Sequence, residues 1–384
     1  MQIEPFRIAV PDAVLTDLRQ RLAQTRFPDE IAGVGWAYGV PLAYMKELVG
    51  YWRDRYDWRR AEAALNQLPH FRSQVGDLGI HFIHVRGRGP KPMPLVITHG
   101  WPGSVLEMMK IIGPLTDPAA HGGDAADAFD VVCPSLPGYA WSDAPRTPGA
   151  DAAYIAGLWA QLMRGLGYER FGAQGGDWGA VVTALLGQNH ADVCAGIHMN
   201  MVLATPPDPA SPTAGLTEAE IAAVMEMQRW YNEENAYMRQ QSTRPQTLGY
   251  GLNDSPAGLA AWIIDKFHAW SDCGGDVESR FTRDELLTNV TIYWVTQSIT
   301  SSFRIYYESY HTGLLPAPEL RVRVPTGCAI FPKEIVRPPR SWVAHHYNLQ
   351  RWSVFDKGGH FAAMEEPRAL IDDVRAFFRP LRSA

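Results

Sequence analysis

From residue 94 onward, short apolar runs alternate with segments of helical pattern, and this alternation limits the possible folds of the 384-residue chain more than any other feature. The runs are PLVITHG, FDVVCPSLPG, RFGAQGGD and AGIHMNM, and the strand pattern returns late in the chain in RVPTGCAIF and SVFDKGGH. Apolar strands separated by helices are typical of a parallel sheet that is buried on both faces. The sequence therefore predicts an α/β fold with a mostly parallel, doubly wound sheet.

Between about residues 203 and 315, a helix-rich stretch with many aromatic residues interrupts the strand pattern. It includes LAAWIIDKFHAW and LLTNVTIYWVTQSITSSFRIYYE, and the proline-rich segment 205–213 leads into it. Because the strand pattern resumes afterwards, we interpret this stretch as a helical cap domain inserted into the core.

The residues before the core carry helical patterns of their own, from Asp12 to Ala23 and from Leu42 to about Leu68. Next, HFRSQV and IHFIHVRG are joined by GDLG, which predicts a hairpin with a four-residue loop at an antiparallel edge of the sheet. The predicted division is an N-terminal helical region packing on core and cap (1–75), a first core half (76–203), the cap (204–315) and a second core half (316–384).

Composition and charge narrow the class of protein. The chain has 46% hydrophobic and 20% charged residues, as globular proteins do, and its net charge of −6 without a basic run argues against nucleic acid or anionic membranes as partners. The four cysteines are far apart, so neither a disulfide framework nor a thiolate metal site is expected. Because no signal-peptide or membrane-spanning pattern occurs, we expect a soluble, cytoplasmic protein.

The strongest chemical motif is GGDWG at residues 175–179, between a strand pattern and a helical pattern. It has the form of a nucleophile elbow, in which small residues allow a sharp turn that exposes the central side chain. The central residue here is Asp177, and a carboxylate can attack carbon without activation by a base. The alternative is a strand-to-helix turn in which Asp177 only caps the helix.

Two further motifs lie where an α/β-hydrolase needs them. HGWPG at residues 99–103 follows a strand, at the position of the loop that donates an oxyanion-hole N–H, so the expected donors are the N–H groups of Trp101 and Trp178. His360, in GGHF after the last strand pattern, has the position of the catalytic base.

The acid that orients the histidine is expected between the nucleophile and His360 in chain order. Glu334 ends the penultimate strand pattern, CAIFPKE, and is the preferred candidate. An acid after the preceding strand is the other possible site, but the chain has none there before Asp208. Asp356 ranks second, because it is close to His360 in sequence and falls within the predicted strand.

With these motifs, the chain resembles the epoxide hydrolases of the α/β-hydrolase fold, most closely the microsomal type and its soluble microbial relatives. The resemblance covers nearly the whole chain and includes PFRIAVPD…DLRQRLAQTRFPD, THGWPGS, GAQGGDWGA, GLNDSPAGLAAWI, LLTNVTIYW, VPTGCAIFPKE and GGHFAAMEEP. It implies an α/β-hydrolase core with an inserted helical cap and an N-terminal helical extension. The membrane anchor of the microsomal type is absent from the sequence, which fits a soluble enzyme.

The resemblance also implies an activity, the conversion of an epoxide and water to a vicinal diol. Asp177 would form a covalent ester with the substrate, and water activated by His360 and Glu334 would hydrolyse it. Neither a cofactor nor a metal is implied. The expected partners are a small apolar epoxide and water, while the natural epoxide, the selectivity and the oligomeric state, monomer or homodimer, stay open.

Two cap tyrosines are implied by the resemblance alone. The first falls on Tyr237 in NAYM, and the second on Tyr306 in SSFRIYY, with Tyr307 as the alternative one position later. A phenol stays protonated at neutral pH and can donate to a developing alkoxide, which suits the epoxide oxygen.

Two other functions compete with this hypothesis. A haloalkane or haloacid dehalogenase also uses an aspartate nucleophile and an ester, but its halide leaves without needing a proton donor. A non-catalytic binding protein could keep the fold after losing the chemistry, although the complete set of Asp177, His360 and Glu334 argues against it.

Overall fold

The computed structural model describes residues 1–314 and 320–382, and its centre is one nine-stranded sheet. The strands run in the spatial order β1-β2-β3-β5-β4-β6-β7-β8-β9. They are β1 (Ile3–Phe6), β2 (His70–Val75), β3 (Leu78–Val85), β4 (Met93–Thr98), β5 (Phe129–Pro134), β6 (Phe171–Gly175), β7 (Cys194–Met199), β8 (Val322–Ile330) and β9 (Tyr347–Val354). Strands β4 to β9 pair in parallel, whereas β1, β2 and β3 are antiparallel, so the predicted sheet is confirmed.

Apolar side chains cover both faces of the parallel part. In β4, Val96 belongs to the core on one face, and its neighbours Leu95 and Ile97 belong to the core on the other. Successive side chains of a strand point to opposite faces, so each face of this sheet needs its own layer of helices. The helices before the cap are α1 (Asp12–Ala23), α2 (Leu42–Asp54), α3 (Trp58–Leu65), α4 (Met109–Thr116), α5 (Ala152–Gly165) and α6 (Trp178–Asn189).

The predicted hairpin is present, but its loop is shorter than expected. Val75 pairs with Leu78, so only Gly76 and Asp77 form the turn, and the four-residue loop was wrong. Gly76 has φ 60°, a conformation that glycine adopts without steric cost and that lets two residues reverse the chain. Strand β1 pairs with the outer side of β2 and forms the edge, which the sequence pattern did not indicate.

The second helical pattern, from Leu42 to about Leu68, divides into two helices rather than forming one. Helix α2 ends at Asp54, and Asp57 accepts a hydrogen bond of 3.2 Å from the N–H of Arg60 at the start of α3. A carboxylate at this position satisfies one of the free N–H groups of a new helix, which explains the break.

The predicted cap lies between β7 and β8, and the regular elements among its described residues are all helices joined by turns and irregular segments. Its helices are α7 (Glu218–Glu233), α8 (Ala236–Thr243), α9 (Pro245–Leu252), α10 (Pro256–Trp270), α11 (Arg283–Thr296), α12 (Ile299–Ser302) and α13 (Arg304–His311). Helix α11 joins the cap to the loop after β4, because Asn289 Nδ2 donates to Pro102 O at 2.7 Å and Tyr293 Oη donates to Gly103 O at 2.7 Å. The cap therefore covers the ends of the parallel strands.

The chain closes with α14 (Arg340–His346), β9, α15 (Ala362–Glu365) and α16 (Pro367–Phe378). Strand β9 ends at Val354, so Asp356 lies beyond the strand and not within it as expected. We keep the division into four regions as a proposal, and its boundary at 315/316 falls outside the described residues. None of the helices described in residues 1–314 and 320–382 is long and apolar enough to cross a membrane.

Candidate active site

Asp177 lies at the sharp turn between β6 and α6. Its backbone has φ 52° and ψ −129°, which is rare for a residue with a side chain and marks local strain. The turn also requires close packing, since a Cβ on Gly179 would overlap the carbonyl oxygen of Thr98 in β4. The Asp177 carboxylate makes no capping bond to α6, so the helix-cap alternative was wrong. The tight turn directs the carboxylate away from the helix it precedes.

The loop after β4 contacts this carboxylate directly. The backbone N–H of Trp101 donates to Asp177 Oδ1 at 2.8 Å, and a Cβ on Gly100 would overlap the same carboxylate. Trp178 is the first residue of α6, where backbone N–H groups have no partner within the helix. The geometry fits an oxyanion hole, and Trp101 and Trp178 stay the predicted donors.

His360 stands between two carboxylates. Its Nδ1 lies 2.7 Å from Glu334 Oε1, and its Nε2 lies 3.4 Å from Asp177 Oδ2. The backbone fixes this arrangement, because Lys333 bridges to Gly359 and the N–H of His360 donates to Trp270 O at 2.9 Å. Asp177, Glu334 and His360 thus lie together, although they follow three different strands, β6, β8 and β9.

The alternative acids lie elsewhere. Asp208 and Asp356 are both exposed, and Glu334 is the carboxylate bonded to the imidazole of His360. Glu334 Oε1 also accepts the N–H of Ile335 at 2.7 Å, which holds the carboxylate in place. Burial would lower the pKa of His360, but Glu334 and Asp177 outweigh that effect and raise it well above the usual value.

The two cap tyrosines also reach this site. Tyr237 in α8 and Tyr306 in α13 are buried, and their ring centroids are 6.2 Å apart. The ring of Tyr237 stacks on Trp101 at 5.4 Å, and the ring of Tyr306 meets Trp178 edge-on at 4.7 Å. Burial raises the pKa of both phenols well above 10, so both carry their proton at neutral pH. The oxygen Tyr306 Oη has no hydrogen-bond partner among the described residues.

The side chains of Tyr306 and Tyr307 point in different directions. Tyr306 lines the cavity above Asp177, whereas Tyr307 stacks on His311 at 4.0 Å and does not line that cavity. Neighbouring residues on a helix point about 100° apart, so only one of the two can face the site.

An apolar cavity of about 320 Å³ opens above Asp177. Its wall is largely aromatic and aliphatic, and both phenols and the carboxylate lie in it. The lining residues are Asp177, Trp178, Val181, Met201, Leu203, Ala204, Thr205, Trp230, Tyr231, Tyr237, Met238, Tyr306, Tyr310, Ile335 and Val336. Such a wall suits an apolar molecule that carries one polar atom.

A second, much smaller cavity touches the same carboxylate. It is lined by Asp177, His360 and polar groups that include Glu107, Gln174 and Asn200. Glu107 was not among the residues predicted from the sequence, although a lone acid in the apolar segment VLEMM, eight residues after His99, was a visible signal. Burial raises the pKa of Glu107 to about 8, with His360 acting to lower it and Asp177 to raise it further.

Comparisons with known proteins find similar sequences over nearly the whole chain. Residues 3–108 match the family model described as epoxide hydrolase N terminus, and residues 93–247 match the model described as alpha/beta hydrolase fold. Epoxide hydrolase 1 of Sus scrofa is 38% identical, over 98% of this chain and 88% of its own length.

Two solved structures are similar over almost the full length. Juvenile hormone epoxide hydrolase of the silkworm Bombyx mori has a TM-score of 0.91 and 32% identity, covering 100% of this chain and 95% of that one. Aspergillus niger epoxide hydrolase has a TM-score of 0.90 and 31% identity, covering 99% of this chain and 97% of that one.

Proposed function

The chain belongs to the epoxide hydrolases of the α/β-hydrolase fold, and from this membership we propose that it forms a vicinal diol through a covalent ester on Asp177. The observation that carries the mechanism is the position of one carboxylate. Asp177 lines the apolar cavity together with both phenols, and its Oδ2 lies 3.4 Å from His360 Nε2. Nucleophile, proton donors and base therefore share one reacting centre.

In the first step, Asp177 Oδ2 attacks an epoxide carbon and the ring C–O bond breaks. The electron pair moves to the epoxide oxygen, which takes a proton from Tyr237 or Tyr306, and that phenol later regains a proton from solvent. Asp177 Oδ1 becomes the ester carbonyl oxygen and keeps its hydrogen bond to Trp101 N–H, so this proposed oxyanion donor is in place before hydrolysis begins.

In the second step, His360 Nε2 removes a proton from a water molecule whose oxygen bonds to Asp177 Cγ. The bond between Asp177 Cγ and the ester oxygen breaks as the tetrahedral intermediate collapses, and His360 returns the proton to the departing alkoxide of the diol. Glu334 holds the imidazole through Nδ1 and offsets the positive charge that forms on it. Asp177 is restored with one oxygen from water.

The expected substrate is a small apolar epoxide, because the cavity wall offers few polar groups besides the phenols.

The four cysteines are all free and buried, which supports the cytoplasmic location that we propose.

A dehalogenase is not favoured, since the similar proteins are epoxide hydrolases and a halide needs no pair of phenol donors. Halide release that survives replacement of both tyrosines would reverse this preference.

Isotope labelling in a single turnover tests the mechanism. Excess enzyme is mixed with an epoxide in heavy-oxygen water, and both the diol and the peptide that contains Asp177 are analysed by mass spectrometry. We expect label in Asp177 and almost none in the first diol, because that diol takes its new oxygen from the carboxylate. Label in the first diol would mean that water attacks the epoxide directly.

A further inference from the structure

The small cavity next to Asp177 has room for one water molecule. About 10 Å³ is open to the centre of a water-sized sphere, which is close to the space that one water needs. Neither Tyr237 nor Tyr306 lines it, so it is separate from the place where the epoxide oxygen is held. Its wall carries several polar side chains, which are the partners that an enclosed water requires: His99, Glu107, Gln174, Asp177, Asn200 and His360.

Glu107 reaches this cavity from the short 3-10 helix Val105–Met108, which follows the loop of Trp101. Ser104 anchors the helix start, accepting from Leu106 N at 3.2 Å and donating to Asn289 Oδ1 at 2.9 Å. Gly103 leaves room for the carboxylate, because a Cβ there would overlap Glu107 Oε1. The carboxyl group is thus held at the cavity by the same loop that carries the oxyanion donor.

Resting on the function proposed above, we infer that Glu107 holds the hydrolytic water in this cavity, between itself and His360. One hydrogen of the water points to His360 Nε2 and the other to the Glu107 carboxyl. The water oxygen is then directed at Asp177 Cγ. His360 removes the first proton as the new O–C bond forms, and Glu107 keeps the second hydrogen bond without accepting a proton.

The charges around Glu107 change in the direction that this role needs. In the free enzyme the negative charge of Asp177 raises the pKa of Glu107, adding to the effect of burial. Esterification removes that charge and so lowers the pKa of Glu107, and the positive charge that forms on His360 as it takes the water proton lowers it further. The carboxyl group therefore becomes a better acceptor when the ester is waiting for water. Of the other groups that face Glu107, His99 is neutral, because burial lowers its pKa to about 4, and the phenol of Tyr293 keeps its proton.

The test separates the two half-reactions by rapid mixing, following ester formation and ester loss by mass spectrometry. For Glu107→Ala we expect ester loss to slow by about 10- to 100-fold while ester formation changes by less than about threefold, so that ester accumulates. Glu107→Gln keeps the shape and an acceptor oxygen, and should recover part of the lost rate. A role in folding alone would not slow one half-reaction and spare the other.

Glu308→Gln is the matched control. Glu308 is also partly buried and accepts a backbone N–H, that of Gly149 at 2.9 Å, but it lines neither cavity. Both of its rates should stay within about threefold of the wild type. Unchanged ester loss in both Glu107 variants, or equal slowing of both half-reactions, would overturn the inference and leave the ester mechanism standing. The absence of any ester, even in His360→Gln, would overturn the proposed function and this inference with it.

Discussion

His360 Nδ1 lies 2.7 Å from Glu334 Oε1, and the two side chains are only 2% and 1% exposed. A contact this short between two buried groups determines which nitrogen of the imidazole stays free. The free nitrogen, Nε2, points to the carboxylate of Asp177. The imidazole is therefore oriented before any substrate arrives.

Replacing the base should stop the reaction after its first half. His360→Gln keeps Asp177, Trp101 and both phenols, so ester formation should proceed. Ester loss should fall by at least about 100-fold, because the variant lacks the imidazole nitrogen that takes the proton from water. Intact-protein mass spectrometry after mixing with an epoxide should show one substrate mass added, with Asp177→Asn as the control that forms no adduct at first mixing. If the His360 variant shows no adduct, the histidine also acts in ring opening.

The hydrolytic half-reaction should speed up as the pH rises. It needs neutral His360, whose pKa is raised by Glu334 and Asp177, and Glu107 and Glu365 also face the imidazole. Esterification neutralises Asp177, so the apparent pKa for ester loss should be lower than the pKa of His360 in the free enzyme. The two values come from the pH profile of ester loss and from NMR titration of the histidine.

Glu334→Gln provides the comparison for that profile. Removing a carboxylate that raises the pKa of His360 should move the profile to lower pH, and the loss of charge support should lower its plateau by about tenfold or more. A profile that stays at the wild-type pH would show that another group controls the titration.

The cap tyrosines should share one task. If both phenols bond the same epoxide oxygen, either can donate alone, and Tyr237→Phe or Tyr306→Phe should each cost about 1–3 kcal/mol in ester formation. The double variant should be nearly inactive in that step. Pre-steady-state ester formation is the measurement, with Tyr307→Phe as the control, since Tyr307 does not line the cavity. A larger effect at Tyr307 than at Tyr306, or a fast double variant, would contradict the assignment.

The packing at the elbow should be intolerant of one added methyl group. In Gly179→Ala the new Cβ would overlap Thr98 O, and a backbone atom cannot move aside easily, so we expect a loss of about 1–3 kcal/mol or more in unfolding free energy. Gly50→Ala, in the interior of α2 with no atom near the new Cβ, should instead gain up to about 1 kcal/mol. Chemical denaturation of both variants measures the difference, and equal stabilities would show that β4 and α6 are not closely packed here.

Local patterns in the sequence were sufficient to predict the core and to name Asp177, His360 and Glu334, which lie together in the structure. The apolar runs between helices predicted the parallel sheet, because a strand buried on both faces has few polar positions. The small residues around Asp177 predicted the elbow, since only small side chains fit such a turn. Chain order then led to His360 and Glu334, and family resemblance, not local pattern, led to Tyr237 and Tyr306.

Element boundaries were less predictable, because competing local signals decide them. Asp57 begins a new helix inside a continuous apolar pattern, and Gly76 closes the hairpin in two residues although GDLG could form a longer loop. The edge strand Ile3–Phe6 is short and contains a proline, so nothing in it distinguished it from a loop.

Tertiary structure alone decided which side chains share a cavity. Tyr306 faces Asp177 and Tyr307 does not, because the packing of α13 fixes the rotation of the helix. Glu107 and His360 are 253 positions apart in the sequence, yet both line the small cavity. They do so because the sheet brings the loops after β4 and β9 to one end. Spacing along a chain predicts what one turn or one strand can do, whereas contacts between distant segments depend on how the elements pack.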